Sequence, residues 1–420
     1  MIYVHIPFCR SFCTYCGFYS ETSECYGRYV DALLKEIECR KQEIRGTMDV
    51  NTLYIGGGTP SVLPSYLFVK LVRALKRAAG VRRFDEFTVE VNPDDIARGL
   101  WYNSEYPEVM KKWGVTRVSI GIQSLKNPIL RWMNRRHDED NALRALDTFL
   151  HSGIDDISID LMFGLPAVRR EGGRFAGRYT PLLSDYAWRK TLREIGFWCR
   201  SGNVHVSAYQ LSVESGSALE KMIEDGRCRE LSDEACECQY NILCEEMANL
   251  GYNHYEISNF AKPGHEARHN SAYWRHVPYV GLGPGAHSLE ALPDGGRRRS
   301  WNKPDLALYL DTYAPGSGHR RNFEAKLEAL RGSETLSPEQ IALENVMLGL
   351  RTSEGCLLSE LEEACDRQAL RKAVAAGHLV PVGGWEAAGN PEIPEPYYRI
   401  PEKYFFISDN IISDLVVNVF

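Results

Sequence analysis

The sequence predicts an α/β fold: a partial (β/α)6 barrel followed by a small C-terminal α+β domain of winged-helix-like kind. Three observations point there. Short apolar runs of strand length alternate with amphipathic segments through the first half of the chain, the pattern of a parallel sheet with helices outside it. Six such runs occur, fewer than the eight of a closed barrel. After about residue 290 the alternation gives way to helical patterns and turn residues.

The six predicted strands are Tyr3–Ile6, Thr52–Ile55, Phe87–Val91, Arg117–Ile122, Asp156–Met162 and Val204–Leu211. Between them, helical periodicity falls near 27–45, 64–79, 104–112, 138–152 and 184–200. Ala167–Thr180 is rich in Arg and Gly without a clear period and reads as a surface loop. Residues 232–250 read as a helix with Ser232 as its N-cap. Its cysteines, Cys236, Cys238 and Cys244, and nearby Cys228, scatter around the helix axis and read as packing residues. Pro293-Asp-Gly-Gly and Ala314-Pro-Gly-Ser-Gly318 read as linkers, which divides the chain into 1–290 and 291–420. In the second part, Pro338–Arg351 reads as a helix, Gly377–Trp385 as a hairpin and Ile407–Val419 as a terminal helix. The segment at the recognition-helix position of that domain, Ser359–Gln368, is acidic, so docking rather than DNA binding is expected of it.

At 420 residues, 44% hydrophobic and 25% charged, the composition is that of an ordinary globular protein. A net charge of −7 argues against a broad nucleic-acid or anionic-membrane surface, and Arg297–Arg299 reads as a solvated turn. No apolar stretch reaches transmembrane length, and no signal peptide is read at the N-terminus. Twelve cysteines in such a chain do not form a disulfide pattern and suit a reducing cytoplasm. A homodimer is left open.

Chemistry concentrates after the first strand, where Cys9, Cys13 and Cys16 stand in a CxxxCxxC spacing. Pro7 helps end the strand, so the cysteines lie on the loop at its C-terminal end, where ligands of parallel sheets collect. Three closely spaced thiolates suit an iron–sulfur cluster that keeps one iron open to a ligand. Zinc would call for CxxC pairs, and no second pair matches. Ile55-Gly-Gly-Gly-Thr-Pro60 follows the second strand, with glycines that let backbone N–H groups approach a ligand. Polar residues then stand at successive strand ends: Glu90, Gln123 and Asp160. A carboxylate inside an apolar strand is costly unless paired, so a shared pocket is expected, with Arg135 as a partner for Asp160 or for a ligand carboxylate.

The CxxxCxxC spacing resembles that of the radical S-adenosylmethionine (SAM) family. YVHIPFC, GGGTP, VEVNP, GIQS, NR and IDLMFGLP, in this order, with ENVMLGLR in the C-terminal part, resemble the branch that holds oxygen-independent coproporphyrinogen III oxidase and the HemW-type heme chaperones. The resemblance implies a radical SAM barrel with a [4Fe–4S] cluster on Cys9, Cys13 and Cys16. It implies contacts with the cluster-bound SAM at Tyr3, Gly57 and Glu90; in the oxidase a second SAM is held by residues matching Gly58, Thr59, Gln123, Arg135 and Asp160.

Within that branch the oxidase carries a fourth cysteine where this chain has Phe18, and it has residues before the cluster that this chain lacks. Both departures match the chaperone type. So does His269-Asn-Ser-Ala-Tyr-Trp274, which resembles the HNxxYW signature associated there with heme. The resemblance implies heme contacts at His269, Asn270, Tyr273 and Trp274, and heme-accepting apoproteins as partners. His269 has the chemistry of an axial iron ligand and the two aromatics that of a porphyrin face; core packing is the plainer reading of all three. Tyr279–His287 is expected to close the SAM end of the barrel, with His287 as a weaker alternative contact. The rival function is the oxidase reaction that turns coproporphyrinogen III into protoporphyrinogen IX.

Overall fold

A computed structural model describes residues 1–97, 105–172, 176–313, 320–382 and 396–416. The six predicted strands form, each within two residues of expectation at either end. They are β1 (Ile2–Ile6), β2 (Thr52–Gly57), β3 (Glu86–Val91), β4 (Arg117–Gln123), β5 (Asp156–Phe163) and β6 (Val204–Gln210). All six run parallel in sequence order, joined by crossovers that carry helices. Such crossovers are the connection parallel strands require. Three further strands widen the sheet. An antiparallel pair, β7 (Asn253–Glu256) and β8 (Asn259–Ala261), covers the β6 edge, and β9 (Val280–Leu282) pairs in parallel with β1. The sequence reading missed these three because β9 is Gly-rich and β7 and β8 are too short to show a period.

Two features set the layers. Along each central strand, alternate residues such as Leu53, Ile55, Phe87, Val89, Val118, Ile120, Ile157, Ile159, Val204 and Val206 are buried and apolar. They meet helices α1 (Tyr26–Cys39), α2 (Ser65–Ala79), α3 (Glu139–Ser152) and α4 (Asp185–Ser201), with α5 (Asp233–Asn249) packed beside α4 and against β5 and β7. Each fully buried Val, Ile or Phe contributes about 1.5–3 kcal/mol. Caps then fix where helices begin: Asp138, Ser184 and Ser232 accept backbone N–H groups of α3, α4 and α5.

Expectation and structure part at four places. The helix expected at 27–45 breaks at Arg40, whose guanidinium is drawn inward to Glu36, the Gly281 carbonyl and Ser288. Glu36 is fully buried and also accepts from Gly283, Asn302 and Tyr309, so one carboxylate ties α1 to the chain beyond β9. The loop expected at 167–180 is a hairpin, Ala167–Arg169 against Tyr179–Pro181, with Cys228–Arg229 on its other side. Pro293–Gly296 is a hairpin turn rather than a linker, and Arg297–Arg299 opens a strand, with Arg298 paired to Glu290 and Arg299 to Glu334 and Glu344. Ala314–Gly318 lies outside the described residues.

The C-terminal part contains helix Pro338–Gly349, strand Cys356–Leu357, helices Leu358–Ala364 and Arg367–Ala375, and strands Val380–Pro381 and Tyr397–Arg399. The three strands form one antiparallel sheet, and this element order is that of a winged helix. The hairpin expected at 377–385 pairs Val380–Pro381 with a segment further along than expected; residues 383–395 lie outside the described residues. Helix Ser408–Val416 closes the described chain.

Candidate functional site

The inward faces of the six strands are polar. Parallel register sets Tyr3 beside Tyr54, Tyr54 beside Thr88, Glu90 beside Ser119, Ser119 beside Ser158 and Asp160 beside Ser207. A closed barrel fills its interior with branched apolar side chains. Here the interior is a chamber of about 570 Å³ that runs from the cysteine loop to the strand N-termini. Cys9, Cys13, Cys16, Gly57, Gly58, Thr59, Glu90, Gln123, Arg135, Asp160 and Asn270 all line it. Of the residues expected to contact SAM, only Tyr3 stands behind the wall. Its ring lies 6.1 Å from that of Tyr54, and its hydroxyl is 3.0 Å from His5 Nδ1.

At the mouth, the cysteine loop packs on the glycines after β2. Gly57 has φ +111, and a Cβ there would lie 2.5 Å from the His5 ring; at Gly58 it would meet the Phe8 and Ile6 carbonyls. His5 Nε2 bonds the Tyr19 carbonyl at 2.9 Å and so pins the chain just beyond the third cysteine. Gly283–Gly285 lies against the His5 carbonyl and Tyr19, and no residue of Tyr279–His287 lines the chamber. His287 is exposed and stacks on Trp301.

The three thiols are free and half-buried. Cys9 Sγ lies 3.5 Å from Thr59 Oγ1, and Arg135 Nη1 lies 3.5 Å from Cys13 Sγ. Burial pushes Cys16 up to about 11 and Cys9 above its usual value, so metal would have to displace protons here. Among the described residues no three metal-ligating side chains converge on one point, as a single ion requires. A [4Fe–4S] cube instead takes one thiolate on each of three irons, and three free thiols on one loop fit it. Of the other cysteines, Cys228 and Cys236 are buried, Cys244 is half-buried and Cys238 is exposed.

Below the loop sit two carboxylates. Glu90 accepts from the Tyr54 hydroxyl at 2.7 Å and the Gly57 N–H at 3.0 Å. Burial pushes it up to about 7 against those bonds, with a smaller contribution from Asp160. Asp160 accepts from Ser119 at 3.0 Å, and burial pushes it up to about 6. Arg135 faces them without a direct bond to Asp160: Nη2 donates to Asn92 at 2.9 Å and to the Gly121 carbonyl at 2.6 Å, while its buried Nε has no partner. Gln123 sits at φ +64 where β4 slips register against β5, a costly conformation for a residue with a Cβ. Its side chain lines the chamber.

The floor is closed by helix α6 (Arg268–Trp274), which carries the HNxxYW residues. Glu86, first residue of β3, accepts the N–H groups of Arg268 and His269, both at 2.9 Å, and pairs with buried Arg117 at 3.3 Å. His269 is 1% exposed. Its Nδ1 bonds Thr52 Oγ1 at 2.8 Å and its Nε2 bonds the Tyr273 hydroxyl at 3.1 Å. Burial lowers its pKa to about 3, so the ring is neutral. Both nitrogens being engaged, an open axial ligand at His269 is not what this geometry offers. The motif splits instead: His269 and Tyr273 anchor the helix, Asn270 faces the chamber, and Trp274 lines a second cavity behind the helix.

Sequence reasoning missed Tyr54, Glu86, Arg117, Ser119, His205 and Ser207, all chamber residues. Their signal is present as period-two polar positions in TLYIG, EFTVEV, RVSIGIQ and VHVSAYQ, inside runs otherwise apolar.

Truncating His269 strands two buried hydroxyls. His269→Ala should lower stability by about 1–3 kcal/mol in urea unfolding, and Thr52→Val by less, about 1 kcal/mol. Unchanged stability in His269→Ala would contradict the anchoring role.

Residues 3–172 match the Radical SAM superfamily. The chain is 31% identical over 364 residues to the heme chaperone HemW of Bacillus subtilis, covering 84% of this chain and 83% of that protein. It is 30% identical over 369 residues to the heme chaperone HemW of Synechocystis, covering 86% and 79%. It is also 30% identical to the mitochondrial radical S-adenosyl methionine domain-containing protein 1 of Danio rerio, over 84% of this chain and 73% of that one. The fold matches the solved coproporphyrinogen III oxidase (HemN) of Escherichia coli with a TM-score of 0.72 at 19% identity, over 98% of this chain and 89% of the other. The chain therefore belongs to the radical SAM superfamily, in the family of the HemW heme chaperones.

Proposed function

We propose that this chain is a heme chaperone built on the radical SAM fold, which binds heme and passes it to acceptor apoproteins. The observation that carries this reading is identity of about 30% to proteins named heme chaperone HemW, spread over some four fifths of both chains. Superfamily membership implies a [4Fe–4S] cluster and SAM. Cys9, Cys13 and Cys16 would hold the cluster. Glu90 and the Gly57–Thr59 backbone would take the ammonium group of SAM, and Arg135 its carboxylate. Gln123 and Asp160 complete that end of the chamber, with Tyr3 behind it. Residues 1–290 would form the cofactor-bearing domain and 291–420 a docking domain. Free thiols and a labile cluster suit the cytoplasm, and no helix among the described residues is long and apolar enough to cross a membrane.

Phe18 bears on the rival reading. It occupies the position of the oxidase's fourth cysteine and is 74% exposed at the chamber mouth. Anaerobically reconstituted protein should bind heme with a Soret band and release it to an apo-acceptor, and should leave coproporphyrinogen III unconverted with SAM and reductant. Robust turnover to protoporphyrinogen, or no heme binding, would overturn the proposal.

Glu90 gives a pH signature. Its carboxyl is held up to about 7 without ligand, and an ammonium group favours the ionised form. Binding then releases a proton below that pH. SAM affinity should rise between pH 6 and 7, by at most about tenfold per unit, and level off above. Anaerobic calorimetry in Glu90→Gln should show weaker binding and a flatter pH profile. A wild-type profile that falls with rising pH would contradict the assignment.

A further inference from the structure

The face of α6 turned away from the chamber lines a separate cavity of about 710 Å³, within the size range of small-molecule and cofactor sites. It lies between the motif helix and the C-terminal part. Arg268 and Trp274, the first and last residues of α6, line it from one side, Arg297 from a neighbouring strand, and Tyr397 from the winged-helix sheet.

We infer that this cavity is the heme site: the porphyrin ring lies on Trp274 and Tyr397, and its two propionates pair with Arg268 and Arg297. The inference rests on the heme-chaperone reading above and adds where, and by which groups, heme is held.

Four observations support it. His269 is tied into the core through both nitrogens, which leaves Trp274 as the motif's aromatic side chain facing a cavity. The cations are available. Arg297 Nε is buried without a partner, and Arg268 uses only its backbone N–H, on Glu86, among the described residues. Two of the three acids of the cavity wall are engaged: Glu354 pairs with Arg275, with Nε to Oε2 at 2.8 Å, and Glu360 accepts the Leu357 N–H at 3.0 Å, with Glu266 the third. Finally, the chemistry is complementary. Heme is a flat aromatic dianion, guanidinium groups match carboxylates in a planar fork, and aromatic faces offer stacking area.

The test is an anaerobic heme titration of the full-length chain, followed in the Soret band, beside a titration with heme dimethyl ester, whose propionates carry no charge. Arg268→Gln/Arg297→Gln should weaken heme binding on the order of tenfold and leave the ester's affinity at the wild-type value. Trp274→Ala should weaken both ligands. Asn270→Ala, at the chamber floor, should weaken neither. Equal iron content and far-UV spectra serve as the folding control. If the double arginine variant binds heme like wild type while Asn270→Ala weakens it, heme lies in the chamber and this inference falls, with the chaperone reading intact. If wild type binds neither ligand, the chaperone reading falls and takes the inference with it.

Discussion

Glu86 holds the floor of the barrel. Its carboxylate lies at the start of β3, 4% exposed, where a lone charge would be costly. Arg117 from the next strand compensates it, and the first two N–H groups of α6 fill its remaining acceptor positions. Arg117 in turn donates to the carbonyls of His265 and Glu266, which lead into α6. One ion pair thus seats the helix that seals the polar interior. Removing Arg117 leaves the Glu86 charge buried without its counter-ion, a loss of about 3–5 kcal/mol by comparison with similar pairs.

The seal matters because of what lies above it. The inward faces of the six strands carry hydroxyls, a neutral histidine and carboxylates instead of the packed aliphatics of an eight-stranded barrel. Glu90 and Asp160 are both held toward their protonated forms by burial. The pair is therefore set to exchange protons for a cationic ligand. The cysteine loop, the glycines after β2 and Arg135 converge on the same end, so the three thiols and the two titrating carboxylates line one chamber.

Much of this was legible in the residues. The six strands could be read because their outward positions are uniformly branched or aromatic and their lengths are regular. The cysteine loop, GGGTP and the strand-end polar residues announced themselves by spacing. Other parts could not be read. The edge strand Val280–Leu282 sits in a glycine-rich run chosen for close approach: a Cβ at Gly281 would overlap the His287 carbonyl. The break at Arg40 depends on Ser288, about 250 residues away, which no local pattern reveals. The basic run Arg297–Arg299 looked solvated because its acidic partners lie on separate strands and a helix. The inward-facing tyrosines and serines were visible as period-two positions, yet their shared chamber follows only from the parallel register. His269 shows the same limit: its residue type suggested a ligand, and only its two partners revealed an anchor.

The central claim is that α6 is a fixed partition between a cofactor chamber and a heme-binding cavity. Hydrogen–deuterium exchange of the 267–275 segment tests it most directly. The account predicts slow exchange at Arg268 and His269 in the ligand-free chain, because Glu86 holds both N–H groups, and further slowing across the segment when heme is added. Rapid exchange in the free chain, or a heme effect confined to the strands of the chamber, would contradict it.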